Sequence, residues 1–172
     1  MMLPSRDRVW DDIAATRRDC AAVAHAIREF EPVTMAVRPQ DHANARAMLD
    51  ADIDLLETAI DDSWARDAGP VFVTHPDGSR AATTFRFNAW GRKYLPFDSN
   101  AAFGAVAVEQ AGVRRFTSRL IAEGGGISVD GEGIVITTDT CFPNANRNPD
   151  WTRDAIEAEL KEMQGWWARL AG

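Results

Sequence analysis

Two short segments of this 172-residue chain carry the same arrangement of acid, glycine and strand. Trp64-Ala65-Arg66-Asp67-Ala68-Gly69-Pro70 leads into Val71-Phe72-Val73, and Glu123-Gly124-Gly125-Gly126 leads into Ile127-Ser128-Val129. In each, a carboxylate stands four positions before the first strand residue, and the two acids lie 123 − 67 = 56 residues apart. A repeat with one carboxylate at the mouth of each unit points to a site that grips a cation from several sides. A guanidinium suits such a grip, because it is planar and always charged, with five N–H donors in a fixed fork that carboxylates accept in pairs. Trp64, three residues before Asp67, can cover a bound cation with its ring face or simply anchor a loop. Asp67 and Glu123 can equally be solvated acids that close glycine turns. Arg66 is expected to pair with a neighbouring acid.

The chemistry that would follow binding is harder to find. A guanidine carbon is electron-rich, and its hydrolysis calls for a thiolate with a histidine as acid and base. Cys20 falls on a helix face and reads as core filling, and Cys141 reads as structural at a strand end. His25 lies on a helix, His42 precedes one and His75 sits in a turn, and none is expected in an acid-paired His-x-Asp arrangement. No Ser-His-Asp triad can be drawn. Phe87-Asn88-Ala89-Trp90-Gly91 suits a tight loop near a site, with Trp90 packing. Asn144-Ala145-Asn146-Arg147-Asn148-Pro149 is a polar loop whose side chains can satisfy backbone groups, a structural role. Asp130-Gly131-Glu132-Gly133 lacks calcium-loop spacing and reads as a hairpin turn. No metal site and no cofactor are expected.

These residues need elements to place them. A helix is expected from about Arg6 to Phe30, with Ile13, Thr16, Cys20, Val23, Ile27 and Phe30 along one face. Strand 33–37, a helix over 40–49 and strand 53–56 follow. Strands 71–74 and 80–87 make a hairpin about His75-Pro76-Asp77-Gly78-Ser79. A helix over 98–110, capped by Asp98 or Ser99 and closed by Gly112, leads to strand 113–116. The order then recurs, with strands 127–129 and 134–138, a helix from Thr152 to Gly165 and an apolar stretch opening at Trp166-Trp167. The unit is strand, strand, helix, strand, seen twice, after the tail of a third whose opening hairpin is absent. Repeats of this size bury one another's faces.

The bulk numbers agree with one soluble α/β domain. The chain is 45% hydrophobic and 26% charged, with a net charge of −7. That balance argues against a nucleic-acid partner. No run of apolar residues is long enough for a membrane span, and the N-terminus lacks a signal-peptide core. Two separated cysteines suit a reducing cytoplasm.

Taken together, Phe30-Glu31-Pro32-Val33-Thr34-Met35, Asp62-Ser63-Trp64-Ala65-Arg66-Asp67-Ala68-Gly69-Pro70, Phe87 to Gly91, Glu123-Gly124-Gly125, Val129 to Gly133 and Asn146-Arg147-Asn148-Pro149 resemble the agmatine deiminase and bacterial peptidylarginine deiminase family. The match runs from about Val9 to Gly172. The resemblance implies a pentein α/β-propeller, here a partial one: a single incomplete catalytic domain over 1–172 with units of roughly 6–60, 61–117 and 118–172. It implies hydrolysis of agmatine to N-carbamoylputrescine and ammonia in putrescine synthesis, or action on arginine in peptides. It implies Asp67 and Glu123 as catalytic carboxylates on the guanidinium, with Trp64 contacting substrate. The family's His-x-Asp and nucleophilic cysteine are expected beyond residue 172, so the chain alone is expected to be inactive. The family's opening strand is expected to be missing. Gly126 stands where serine is usual, and Arg92 replaces a glycine. The expected partner is a small cationic guanidine, with self-association or complementation of another chain through open sheet edges. A non-catalytic binding module is the alternative.

Overall fold

The computed structural model describes residues 1–75, 77–130 and 134–165. It is a mixed α/β fold with two units: Met1–Ala65 with Asp98–Asn100, and Arg66–Phe97 with Ala101 onward.

In the first unit, α1 (Ile13–Arg28) begins later than its apolar periodicity predicts. Asp12 is the reason: its extended backbone stops the helix, and its carboxylate accepts the Ala15 N–H at 2.9 Å. Strands β1 (Thr34–Val37) and β2 (Asp54–Glu57) pair in parallel, Thr34 opposite Asp54, with α2 (His42–Met48) crossing between them. Ahead of α1 there is no strand, as expected, but there is an isolated bridge between Met2 and Ala36. Met1 to Leu3 run beside β1: Leu3 N–H donates to the Ala36 carbonyl at 3.0 Å, and Ala36 N–H donates to Met1 at 2.8 Å. The inner face of α1 also differs from the expected one. Ala21 and Ala24 are buried against Leu3, Met35, Val37 and Ile53, whereas Val23 is 51% exposed and Phe30 87% exposed. Small residues let the helix lie close to the sheet, and the bulkier ones sit to the side. Cys20, expected in the core, is only half-buried.

In the second unit, β3 (Val71–Thr74) and β4 (Arg80–Arg86) form the expected antiparallel hairpin. A short turn α4 (Ala89–Arg92) and α5 (Asp98–Ala111) lead to β5 (Arg114–Ile121), parallel to β4. Strand, strand, helix, strand is thus complete once in a single three-stranded sheet. Phe97, not Asp98 or Ser99, is the N-cap of α5, without a side-chain bond. Asp98 instead lies in the first turn, where its charge complements the helix dipole. At the other end Gly112 takes φ +62, the left-handed closure its type permits. Strands β6 (Ser128–Val129) and β7 (Val135–Ile136) pair antiparallel and are followed by α6 (Arg153–Gly165). Thr152 caps that helix, its hydroxyl accepting the Ala155 N–H at 3.2 Å. The turn at 131–133 and the stretch from Trp166 lie outside the described residues. Leu120, Ala122, Ile127, Phe142 and Ile156 form the core here. No described helix is long and apolar enough to cross a membrane.

Candidate functional site

Asp67 and Glu123 meet across a glycine turn of the second unit. Asp67 belongs to the single turn α3 (Ala65–Ala68). Glu123 is extended and enters the 3-10 turn Gly124–Gly126. A Cβ on Gly124 would stand 2.5 Å from the Arg66 carbonyl oxygen, and one on Gly125 would collide with Asp67 Oδ1. A Cβ on Gly126 would lie 3.3 Å from both Cβ and Sγ of Cys141. None of the three has a positive φ. Their glycine character is therefore a matter of space rather than of conformation: the first motif's backbone lies directly against the second's. The Gly125 N–H donates to the Asp67 carboxylate. Arg66, expected to pair with an acid, donates from Nη2 to the Ile127 carbonyl at 3.2 Å, stitching the two segments together.

Burial dominates the electrostatics. It pushes the Asp67 carboxyl above its ordinary value, outweighing the Gly125 N–H and the Arg66 charge. Glu123 is 3% exposed, and burial raises its pKa too, with the Asp67 charge adding to the rise and Arg147 opposing it. Arg147 Nε donates to both Glu123 oxygens, at 2.9 and 3.1 Å.

Arg147 is the residue the sequence argument passes over. The loop 144–149 is structural as expected. Asn148 Oδ1 accepts the Ile121 N–H at 2.9 Å, and its Nδ2 donates to the carbonyls of Ile121 and Phe142 at 2.9 and 3.0 Å. By locking the loop to the end of β5, Asn148 fixes the arginine that precedes it. The available signal was Asn-Arg-Asn-Pro itself, a cation held between backbone-binding side chains. The loop 87–91 meshes with this one: Asn88 Nδ2 donates to the Asn146 carbonyl at 2.9 Å, and Gly91, at φ +84, would carry a Cβ 2.7 Å from that of Asn146. Trp90 packs edge-on against Phe87 and Tyr94, as expected.

Trp64 belongs to the first unit. Its ring stacks on Trp10 with centroids 5.7 Å apart, and Trp10 Nε1 donates to Asp62 Oδ1 at 3.0 Å. The half-buried Cys141 packs against the Phe142 cluster and accepts a hydrogen bond from Thr138 at 3.2 Å. The histidines need a correction. His75-Pro76-Asp77 has His-x-Asp spacing, and His75 Nδ1 lies 3.0 Å from Asp77 Oδ1. That pair sits in the β3–β4 turn, where Ser79 and then His75 hold Asp77 down to about 2. His25 and His42 lie 3.9 and 3.7 Å from Asp50 and Glu57.

The second unit thus presses one carboxylate motif onto another within a mixed α/β fold. Residues 1–168 match the sequence model of the Porphyromonas-type peptidyl-arginine deiminases, and the chain belongs to that family. It is 44% identical over 169 residues to the agmatine deiminase of Ectopseudomonas mendocina, covering 94% of this chain and 46% of that protein. It is 45% identical over 149 residues to the agmatine deiminase of Pseudomonas fluorescens, covering 83% and 40%. The solved agmatine deiminase of Enterococcus faecalis superposes with a TM-score of 0.89 at 33% identity, over 94% of this chain and 46% of that one. The chain spans about half the length of the curated relatives it matches.

Proposed function

We propose that this chain is the guanidinium-holding part of a hydrolase of the agmatine deiminase type, which converts agmatine and water to N-carbamoylputrescine and ammonia in putrescine synthesis. The observation that carries this reading is the convergence of Asp67 and Glu123 on one glycine turn, both buried enough for their pKa values to rise. Carboxylates already stripped of water lose little more when a guanidinium replaces it, and they attract the cation strongly in a low dielectric. Asp67 is the principal jaw. Glu123 shares its charge with Arg147, which keeps a buried carboxylate ionised and aligned for a second cation. Trp64 is assigned to substrate contact on the strength of the family resemblance of its Asp62-to-Pro70 motif.

The chain by itself carries out no turnover. Among the described residues, neither thiol stands with a histidine: the Cys20 thiol faces the Met2 carbonyl, and Cys141 is bound to Thr138. The recurrence of strand, strand, helix supports a partial propeller built from repeated units within one incomplete catalytic domain. The chain's site of action is the cytoplasm.

Isothermal titration with agmatine tests the binding site. Saturable binding is expected, weakened about tenfold or more by Asp67→Asn, as loss of a charged hydrogen-bonding partner requires. Binding unaltered by Asp67→Asn and Glu123→Gln would overturn it. Ammonia release by the pure chain would overturn the inactivity. A parallel titration with an arginine amide tests the peptide-directed alternative.

A second reading, a non-catalytic module that pairs with another polypeptide, is favoured by the apolar surface of the second unit. Phe72, Val129 and Ile136 are 50%, 59% and 66% exposed. Such patches mark interfaces. A monomer at every concentration in sedimentation velocity would exclude self-association through this surface.

A further inference from the structure

The second unit has another cavity, of about 370 Å³, lined by β4, α5 and β5. Its making is local. Gly104 lets α5 settle onto β4, since a Cβ there would already stand 3.3 Å from Thr84 Cγ2. The helix then presents only Ala101, Ala102, Gly104 and Ala105 to the sheet, side chains too short to fill the space beside it. Across from them, Thr84 pairs in register with Thr117, and Arg86 and Arg115 stand one alternation away on β4 and β5. Residues two apart on a strand share a face, so two guanidiniums flank two hydroxyls on one wall.

The charge pattern of this wall is unusual for the molecule. The chain carries 26 acidic against 19 basic residues, yet the cavity lining includes two arginines and no acid. Three other arginines of the second unit pair with acids, Arg119 with Glu159, Arg147 with Glu123 and Arg153 with Asp139, while Arg80, Arg92 and Arg114 form no ion pair among the described residues and line no part of this cavity. Arg86 and Arg115 form no ion pair among the described residues. Arg115 stands opposite Ala82 and Arg86 opposite Ile121, so the two guanidiniums border the cavity from its two ends, and without acidic partners they favour an anion there.

We propose that this cavity is a binding site for a small phosphate monoester. The phosphate carries nearly two negative charges at neutral pH, matching two guanidiniums, and presents three acceptor oxygens to their N–H forks and the Thr117 hydroxyl. The volume falls within the usual range of ligand pockets, about 300–1,000 Å³, and exceeds what a bare phosphate occupies. The rest of the molecule lies over the alanine-lined helix face. The site is independent of the guanidinium reading, since it shares no residue with Asp67, Glu123 or Arg147.

The test is a titration of the ¹⁵N-labelled chain with inorganic phosphate and with glycerol phosphate, followed by amide shifts at constant ionic strength. Saturable shifts at Thr84, Arg86, Arg115 and Thr117 are expected, with glycerol phosphate binding more tightly than phosphate. Arg86→Gln and Arg115→Gln should each weaken binding about tenfold while the remaining spectrum stays folded. Arg115→Lys, which keeps the charge but loses the fork, should fall between. Shifts that do not saturate, that chloride reproduces, that survive both glutamine variants, or that succinate matches would overturn the proposal. Glycerol phosphate binding no better than phosphate would overturn the monoester assignment.

Discussion

Arg147 holds Glu123 where water cannot, so the cost of losing either partner is asymmetric. Arg147→Ala leaves a carboxylate at 3% exposure without its cation, and a loss of about 3–5 kcal/mol in urea unfolding is expected. The paired change Glu123→Gln with Arg147→Met removes both charges and should cost distinctly less than Arg147→Ala. The raised carboxyls also set a pH dependence. Folding favours the protonated forms of Asp67 and Glu123, so their contribution to stability declines as pH rises from the ordinary carboxylate range through their raised values. Guanidinium binding needs the ionised forms, so agmatine affinity should move the opposite way and strengthen with pH in that window. Titrations in two buffers of different ionisation heat should show proton release on binding in that window. Asp77 has the reverse sign: its depressed value means the turn's contribution disappears as pH falls toward about 2.

At the scale of elements, one buried side chain ties the start of α5 into the first unit. Asn100, 2% exposed, accepts the Asp61 N–H at 2.9 Å and donates to the Asp62 carbonyl at 3.1 Å. Asn100→Ala strands these groups, and a loss of about 2–3 kcal/mol is expected by thermal or chemical unfolding. The strands and helices themselves were largely legible because alternation, turn residues and a closing glycine act over short distances. What escaped was longer in range. The inner face of α1 is made by alanines, which carry little apolar signal, while the periodic Val23 and Phe30 face outward. The segment Met1 to Leu3 is too short to show alternation, and only its hydrogen bonds to Ala36 set it beside β1 as an isolated bridge. The echo of Asp67 and Glu123 was visible because each acid is fixed by residues next to it in sequence. Arg147 was not, since its partner lies 24 residues away and nothing local demands the pairing.

For the whole molecule, a net charge of −7 favours cationic ligands in general, and salt should weaken agmatine binding through that field. The close fit of the glycine turn to residues 66 and 67 has a consequence for how such chains can vary. Gly125 is small because Asp67 is there, so the two positions, 58 residues apart, are free to change only in concert. Gly125→Ala should damage the wild-type chain more than a chain already carrying Asp67→Ser. The difference, read as a double-mutant coupling, measures how tightly one motif's history is written into the other's.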